Sequence, residues 1–469
     1  MKVTDMRDLM QKTGTSGCQR EDRVEPEVIV GAQTYMGITE NTFTSFNCRE
    51  DGLLEFILSP SNLNQAYRQV VGNRGAGGVD GMEVEDLLPY LRRYRDELMA
   101  SILAGSYRPN PVRRVEIPKG DGKKRALGIP TVVDRVIQQA IAQVLSPMYE
   151  TQFSDHSYGF RPGRSAHQAL RKCKSYIERG CEWAVDLDLE KFFDTVNHSK
   201  LIEVLSRTVK DGRVVSLIHR YLNAGVMVDG VREQTYVGVP QSGPLSPLLS
   251  NIMLNELDKE LERRDHRFVR YADDLVILCR SKRAGERILA GICTFIERKL
   301  LLKVNWDKTQ VVPFYHIKFL SHGFNRRKGI VGLYVHPLAI GKLKAKLREL
   351  TCRSNGWGYA RRKFCQHQYI NGWVNYFRLA SMLNTLHKVD GWLRRRIRMC
   401  IWKSWSKVKT RCRKLIKLVP DKISAIKAGN SGTKYWRMAK HPVVMQALST
   451  ERLRAAGYPS MVDCYERLK

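Results

Sequence analysis

The sequence predicts an α+β fold that passes into an all-helical, strongly basic C-terminal part. Three observations carry this reading. Strand-like and helix-like runs alternate irregularly from Leu53 to about residue 325. From about residue 335 apolar residues recur almost wholly at helical spacing. Pairs of carboxylates stand at the ends of apolar strand-like runs, where stability alone would not put them.

Residues 1–50 are polar, mixed and without periodicity, and read as a loosely ordered extension. Leu53-Leu54-Glu55-Phe56-Ile57-Leu58 opens the ordered part, and Asn64 to Val71 reads as helix. Ile117-Pro118-Lys119-Gly120-Asp121-Gly122-Lys123-Lys124-Arg125 has the strand, Gly-rich turn, strand pattern of a β-hairpin with basic arms. Thr131-Val132-Val133-Asp134 has capping-box form, and Val136, Ile137, Ala140, Ile141, Val144 and Leu145 then make one buried helical stripe.

Trp183-Ala184-Val185-Asp186-Leu187-Asp188 alternates with period two, so Asp186 and Asp188 share one face of a strand. The chain then turns helical through Phe192-Phe193-Asp194, with Asp194 near the first turn and read as a cap or packing residue. Arg267-Phe268-Val269-Arg270 and Leu275-Val276-Ile277-Leu278-Cys279 read as two strands joined by Tyr271-Ala272-Asp273-Asp274. Adjacent carboxylates at a hairpin tip repel each other and resist burial. They make chemical sense around a divalent cation, which takes a few carboxylate oxygens together with substrate phosphates. An acidic β-turn is the plain alternative, and the third carboxylate upstream weighs against it.

The chain of 469 residues carries a net charge of +32, and 43% of it is hydrophobic. That is enough apolar content for two to four cored domains, and more charge than solubility needs, so a polyanionic partner is implied. Residues 341–469 hold 30 Lys+Arg against 6 Asp+Glu, or +24, which leaves +8 for everything before them. Leu343, Leu347 and Leu350 alternate with lysines, and Leu393, Ile397, Cys400 and Ile401 form a stripe. Arg394, Arg395, Arg398 and Lys403 are expected on other faces, where interleaved Trp and Tyr suit phosphate contact and base stacking. The 11 cysteines include no Cys-X-X-Cys pair, which argues against zinc and against a disulfide framework. No apolar run approaches a membrane span, and no signal-peptide h-region is present.

Several blocks occur in a fixed order: Gly78-Val79-Asp80-Gly81, Arg125-Ala126-Leu127-Gly128-Ile129-Pro130, and His156-Ser157-Tyr158-Gly159-Phe160-Arg161-Pro162. The Phe-Phe-Asp block, Pro240-Gln241-Ser242-Gly243-Pro244-Leu245-Ser246-Pro247 and the Tyr-Ala-Asp-Asp hairpin follow. Together they resemble group II intron-encoded proteins, reverse transcriptases and maturases, and most of all the bacterial class lacking an endonuclease domain (class C-like). The resemblance runs from about Leu53 to near the C-terminus.

It implies a right-hand polymerase with fingers and palm over 51–325, a helical thumb/maturase domain over 326–410 and a small basic DNA-binding module over 411–469. The family's metal-binding Asp stands five residues before the aromatic beneath the incoming sugar, which selects Asp188 with Phe193. Asp188, Asp273 and Asp274 are thus the implied catalytic ligands of two Mg²⁺ ions. Lys119 and Arg125 are implied at the triphosphate of a dNTP substrate, Gln241 at the nucleotide, Phe193 as the gate against a ribose 2′-hydroxyl, and Lys308 at the leaving pyrophosphate.

The implied activity is RNA-directed DNA synthesis that copies intron RNA for retrohoming, with intron RNA binding that assists splicing. The implied partners are group II intron RNA, an RNA template and a DNA primer or target, in nucleoprotein of the bacterial cytoplasm. A splicing-only maturase and a reverse transcriptase domesticated for defence or repair are the alternatives. Two departures from the family stand out: Ser242 follows the motif Gln, and Ser321 follows Phe319-Leu320, where the family commonly has Gly in both places.

Overall fold

The computed structural model describes residues 52–118 and 124–468. The expected extension over 1–50 and Lys119 lie outside the described residues.

Helix and strand alternate as far as Val335, and from Pro337 onward every regular element is helical. The basic arms pair as expected: β1 (Val112–Pro118) and β2 (Lys124–Ile129) are antiparallel, with Ile117 opposite Arg125. β4 (Val226–Val228) adds to β1 in parallel, and β5 (Val231–Glu233) closes this four-stranded sheet in the order β2-β1-β4-β5. The Val132–Glu150 helix begins where Thr131 accepts a hydrogen bond from Asp134 N, and its expected stripe is buried. Only half of the capping box forms, because the Asp134 carboxylate turns to Tyr107 Oη at 2.6 Å and the Asn110 amide.

The central sheet has the order β6-β7-β3-β8, all antiparallel, from β3 (Trp183–Leu187), β6 (Arg267–Tyr271), β7 (Asp274–Cys279) and β8 (Gln310–Pro313). Side chains alternate across its two faces. Val185, Leu187, Leu275 and Ile277 face one core with the Lys282–Lys299 helix and the helices of the N-terminal half. Ala184, Val276 and Leu278 face a second core, shared with the Ala166–Glu178 helix and the entire C-terminal helical array. Asp186 and Asp274 have the parity of this second face. A separate hairpin, β9 (His322–Arg327) and β10 (Ile330–Val335), leads into that array.

Segment 411–468 is packed into the same core as 326–410. Leu415, Val444, Met461 and Tyr465 join Trp373, Phe377, Leu393 and Trp402 in one cluster. Asp390, buried within the Leu383–Ser404 helix, accepts from Ser460 Oγ (2.8 Å), Met461 N (3.0 Å) and Val462 N (3.2 Å), at the start of the Met461–Arg467 helix.

Charge placement differs from expectation at the Leu383–Ser404 helix. Arg398 is buried and donates to Leu448 O at 2.8 Å, and Arg395 stacks on Trp436 and donates to its carbonyl at 2.9 Å. Arg394 leans on Asp390 at 3.5 Å. The sequence pattern put these arginines on a nucleic-acid face. The helices after residue 411 pack over that face, and Arg395 and Arg398 satisfy their carbonyls. Lys403 is half-buried at the end of the same helix. None of the described helices is long and apolar enough to cross a membrane, and the described cysteines are free thiols.

Removing the Asp390 carboxylate strands three donors in a sealed core. Asp390→Ala is expected to lower stability by about 2–3 kcal/mol. In thermal unfolding followed by circular dichroism, the thumb and the last helices should melt in one transition. Two separate transitions would mean that 411–469 folds on its own.

Candidate active site

Pairing of β3 with β7 brings the acidic motifs together. Leu187 lies opposite Leu275, so Asp188 leaves its strand next to Asp274, and Tyr271 pairs with Asp274 across the hairpin tip. Asp273 and Asp274 remain open to solvent, while Asp186 and Asp188 are half-buried. Burial, then the charge of Asp188, pushes the Asp186 carboxyl up to about 6. Asp274 is pushed up to about 7, first by the surrounding protein and then by Asp273, Asp186 and Asp188. Burial raises Asp273 as well, against an opposing pull from Arg125. Arg125, Lys308 and Lys318 stand near these carboxylates, and Asp186, Asp273 and Asp274 are raised in spite of them.

That is the donor chemistry of a site for hard divalent cations, whose charge would relieve the repulsion. Among the described residues no three acidic, His or Cys side chains already converge into a metal cage. The Asp188 carboxylate is held aside instead, accepting from Asn305 Nδ2 at 2.7 Å and lying 3.2 Å from Lys308 Nζ. Its backbone is fixed too: Asp188 O accepts from Asn305 N at 2.9 Å, and Asp188 N donates to Thr309 Oγ1 at 3.2 Å.

Of the other expected residues, Arg125, Gln241, Phe193 and Lys308 gather at the same cleft. Arg125 Nε donates to Gln241 Oε1 at 2.6 Å, joining the fingers hairpin to the Pro-Gln-Ser-Gly segment. Val239 N donates to Phe193 O at 2.6 Å, so Phe193 lies beside that segment. Phe193 is 9% exposed and Phe192 2%, with their rings edge to face at 5.2 Å. Phe193 is therefore the one at the margin of the core. Ser242 does not have left-handed backbone, so a side chain is at ease there. At Gly243 a Cβ would lie 2.5 Å from Gln138 Oε1, so that side chain would have to shift to admit one. Arg394, Arg395, Arg398 and Lys403 belong to the thumb and take no part in this cluster.

Sequence reasoning missed the residues that hold the hairpin. Ala272, at its tip, has φ +55°, a conformation disfavoured for a residue with a Cβ. Its carbonyl accepts from Arg270 Nη1 at 2.9 Å. Arg270 is 1% exposed, and its Nε lies 2.8 and 3.0 Å from the two oxygens of Asp258. Asn251 accepts from the same guanidinium at 3.0 Å and donates to Gly159 O at 2.9 Å. Gly159 packs so closely on the tip that a Cβ would lie 2.2 Å from Ala272 N. The available signals were a charged residue inside a buried strand and a Gly inside an ordered motif. Neither names its partner.

Residues 117–324 match the family model described as reverse transcriptase (RNA-dependent DNA polymerase). Residues 340–418 match that of the group II intron, maturase-specific domain. The chain is 37% identical to the group II intron-encoded protein LtrA of Lactococcus lactis subsp. cremoris, covering 71% of this chain and 72% of LtrA. It is 34% identical to Protein YkfC of Escherichia coli (strain K12), covering 62% of this chain and 87% of YkfC. Among solved structures, a chain of a partial Cas6-RT-Cas1--Cas2 complex aligns with 53% of this chain and 43% of its own length, at 24% identity and a TM-score of 0.34.

Two outcomes are expected from this geometry. Gly159→Ala forces its methyl into the hairpin backbone and should remove most catalytic activity while the fold survives; activity assays beside a melting curve test this. The second concerns pH. Between about pH 4 and 7 folded Asp186 and Asp274 keep protons that the unfolded chain has lost, so their contribution to stability falls as pH rises across that window. At pH 8 without metal, Asp274→Asn should therefore raise the melting temperature. Added Mg²⁺ should raise it in the parent protein and less in the variant.

Proposed function

The chain belongs to the group II intron-encoded reverse transcriptase and maturase family, and from that premise we propose that the carboxylate cleft is its polymerase centre. The observation that carries this reading is the meeting of Asp188 with the Asp273-Asp274 hairpin, beside the joined Arg125 and Gln241. Reverse transcriptases of this family use divalent metal ions. In our reading the ions are two Mg²⁺, held by Asp188, Asp273 and Asp274. The chemistry they supply when bound is activation of a primer 3′-hydroxyl and stabilisation of the leaving pyrophosphate.

The chain's own groups do the rest. Arg125 presents a guanidinium fork suited to phosphate oxygens, and Lys119 is its partner there in our reading. Gln241 fixes the direction of that fork and meets the nucleotide. Phe193, at the edge of its core, closes the space beneath the sugar, and a 2′-hydroxyl would overpack it. Lys308 Nζ holds the proton that the pyrophosphate takes on leaving. In the free protein the same ammonium neutralises Asp188, and nucleotide binding would draw it toward phosphate.

The thumb and the helices beyond residue 410 supply the grip on nucleic acid, with Lys403 and Arg394 at the accessible side. We take the partners to be group II intron RNA, an RNA template and a DNA primer or target, bound in nucleoprotein of the bacterial cytoplasm. The positive charge remains effective even where guanidinium groups are used internally, because a carbonyl satisfies a donor without neutralising it.

Primer extension on an RNA template with a DNA primer, dNTPs and Mg²⁺ tests the reading. Asp273→Ala should abolish incorporation, a loss of several kcal/mol in transition-state stabilisation, while binding of RNA persists. Asp186→Asn should be much milder than Asp188→Asn. Equal losses would mean that the third ligand is Asp186.

A further inference from the structure

On its β8 side, the ladder of β3 is interrupted just where the strand delivers Asp188. Asp186 pairs with Gln310 on β8, and beyond the interruption Leu189 bridges Val304 and Glu190 N donates to Lys303 O at 2.8 Å. The residues from Asn305 to Thr309 therefore stand opposite Leu187 and Asp188 alone, and the excess leaves the ladder as a loop. That loop closes on its own first residue. Asn305 O accepts from Lys308 N at 3.2 Å and from Thr309 N at 2.9 Å.

Both ends of the loop grip Asp188. Asn305 N donates to Asp188 O at 2.9 Å, and Asp188 N donates to Thr309 Oγ1 at 3.2 Å, which fixes the backbone on either side of the carboxylate. The side chain is held through one oxygen only. Oδ2 accepts from Asn305 Nδ2 at 2.7 Å and lies 3.2 Å from Lys308 Nζ. Among the described residues Oδ1 accepts no hydrogen bond.

The two donors on Oδ2 differ in kind. Lys308 brings a full charge on a side chain that is 64% exposed, so a phosphate can draw it away, and until then it competes with any cation for this carboxylate. Asn305 brings a neutral amide from a half-buried residue whose own N–H and carbonyl are tied down. Its hydrogen bond leaves the charge of Asp188 in place. Hydrogen bonds of that sort to a metal-binding carboxylate orient it for the ion. We propose that Asn305 is a positioning residue for the divalent cations: by holding Asp188 Oδ2 it leaves Oδ1 for metal, and it keeps that orientation once Lys308 has moved to phosphate. This rests on the polymerase reading of the cleft.

The test is calorimetric titration of the full chain with Mg²⁺ alone, beside primer extension over a range of Mg²⁺ concentrations. Asn305→Leu keeps a branched side chain and the backbone ties, and removes the Nδ2 donor. It should weaken Mg²⁺ binding about 10-fold or more, with extension lost at low Mg²⁺ and partly recovered at high Mg²⁺. Asn305→Ser, whose hydroxyl falls an atom short of Oδ2, should show the same loss and serves if the leucine variant does not fold. Thr309→Val cuts a tie between the same loop and the Asp188 backbone, so it should lower the melting temperature while Mg²⁺ affinity stays near that of the parent. Lys308→Met removes the competing cation and should tighten Mg²⁺ binding. The proposal is overturned by unchanged Mg²⁺ affinity in the Asn305 variants, by an equal loss in Thr309→Val, or by a loss in Lys308→Met. A parent protein that extends no primer at any Mg²⁺ concentration overturns the polymerase reading itself, and the proposal with it.

Discussion

Arg270 lies in β6 with its guanidinium sealed from solvent, and a charge in that position is tolerable only when fully partnered. Its partners are Asp258 from the Ser246–Arg263 helix, Asn251 from the same helix, and the carbonyl of Ala272. Satisfying the buried charge thus fixes the hairpin tip. The constraint spreads through Asn251 to Gly159, whose backbone lies flat against that tip. Arg270 also exchanges backbone hydrogen bonds with the 156–158 segment, Arg270 N to His156 O and Tyr158 N to Arg270 O, each 2.9 Å. A buried pair of this kind is weak evidence for stability in itself. Here it is the device that keeps two carboxylates where their mutual repulsion would otherwise move them.

Other local rules are broken near the same place. Ala272, Leu320 and Ser321 have positive φ without being Gly, and Asp186, Asp273 and Asp274 all have raised carboxyl groups. Strain and like-charge crowding of this sort concentrate at functional sites and persist because surrounding structure over-determines them. The thumb provides part of that support for Leu320 and Ser321, through Tyr376 and His336.

Electrostatics in the helical part follow a different logic. Arg362, Arg395, Arg396, Arg398 and Arg411 donate to carbonyls of Cys352, Trp436, Thr351, Leu448 and Trp405 respectively. These contacts join helices and leave the charge uncompensated, so one set of side chains serves packing and long-range attraction of a polyanion together.

The sequence by itself determined the element types, the alternation of Asp186 with Leu187, the buried stripe after Thr131, the hairpin that carries Asp273 and Asp274, and the change to helix beyond Val335. Each depends on periodicity or turn chemistry within a few residues, and short-range patterns survive without knowledge of the fold. The resemblance carried by motif order proposed Asp188 over Asp186 as the third ligand, with Arg125, Gln241, Phe193 and Lys308 as neighbours. Only the tertiary structure decided that Arg395 and Arg398 face the last helices and not solvent, since a helical stripe says which residues are polar and not what packs over them. It alone decided the pairings of Arg270 with Asp258, Gly159 with Ala272, and Tyr376 with Leu320. Those partners are separated by 12 to 113 residues, and nothing local in a chain encodes the meeting of groups that far apart until the sheet and its two cores bring them together.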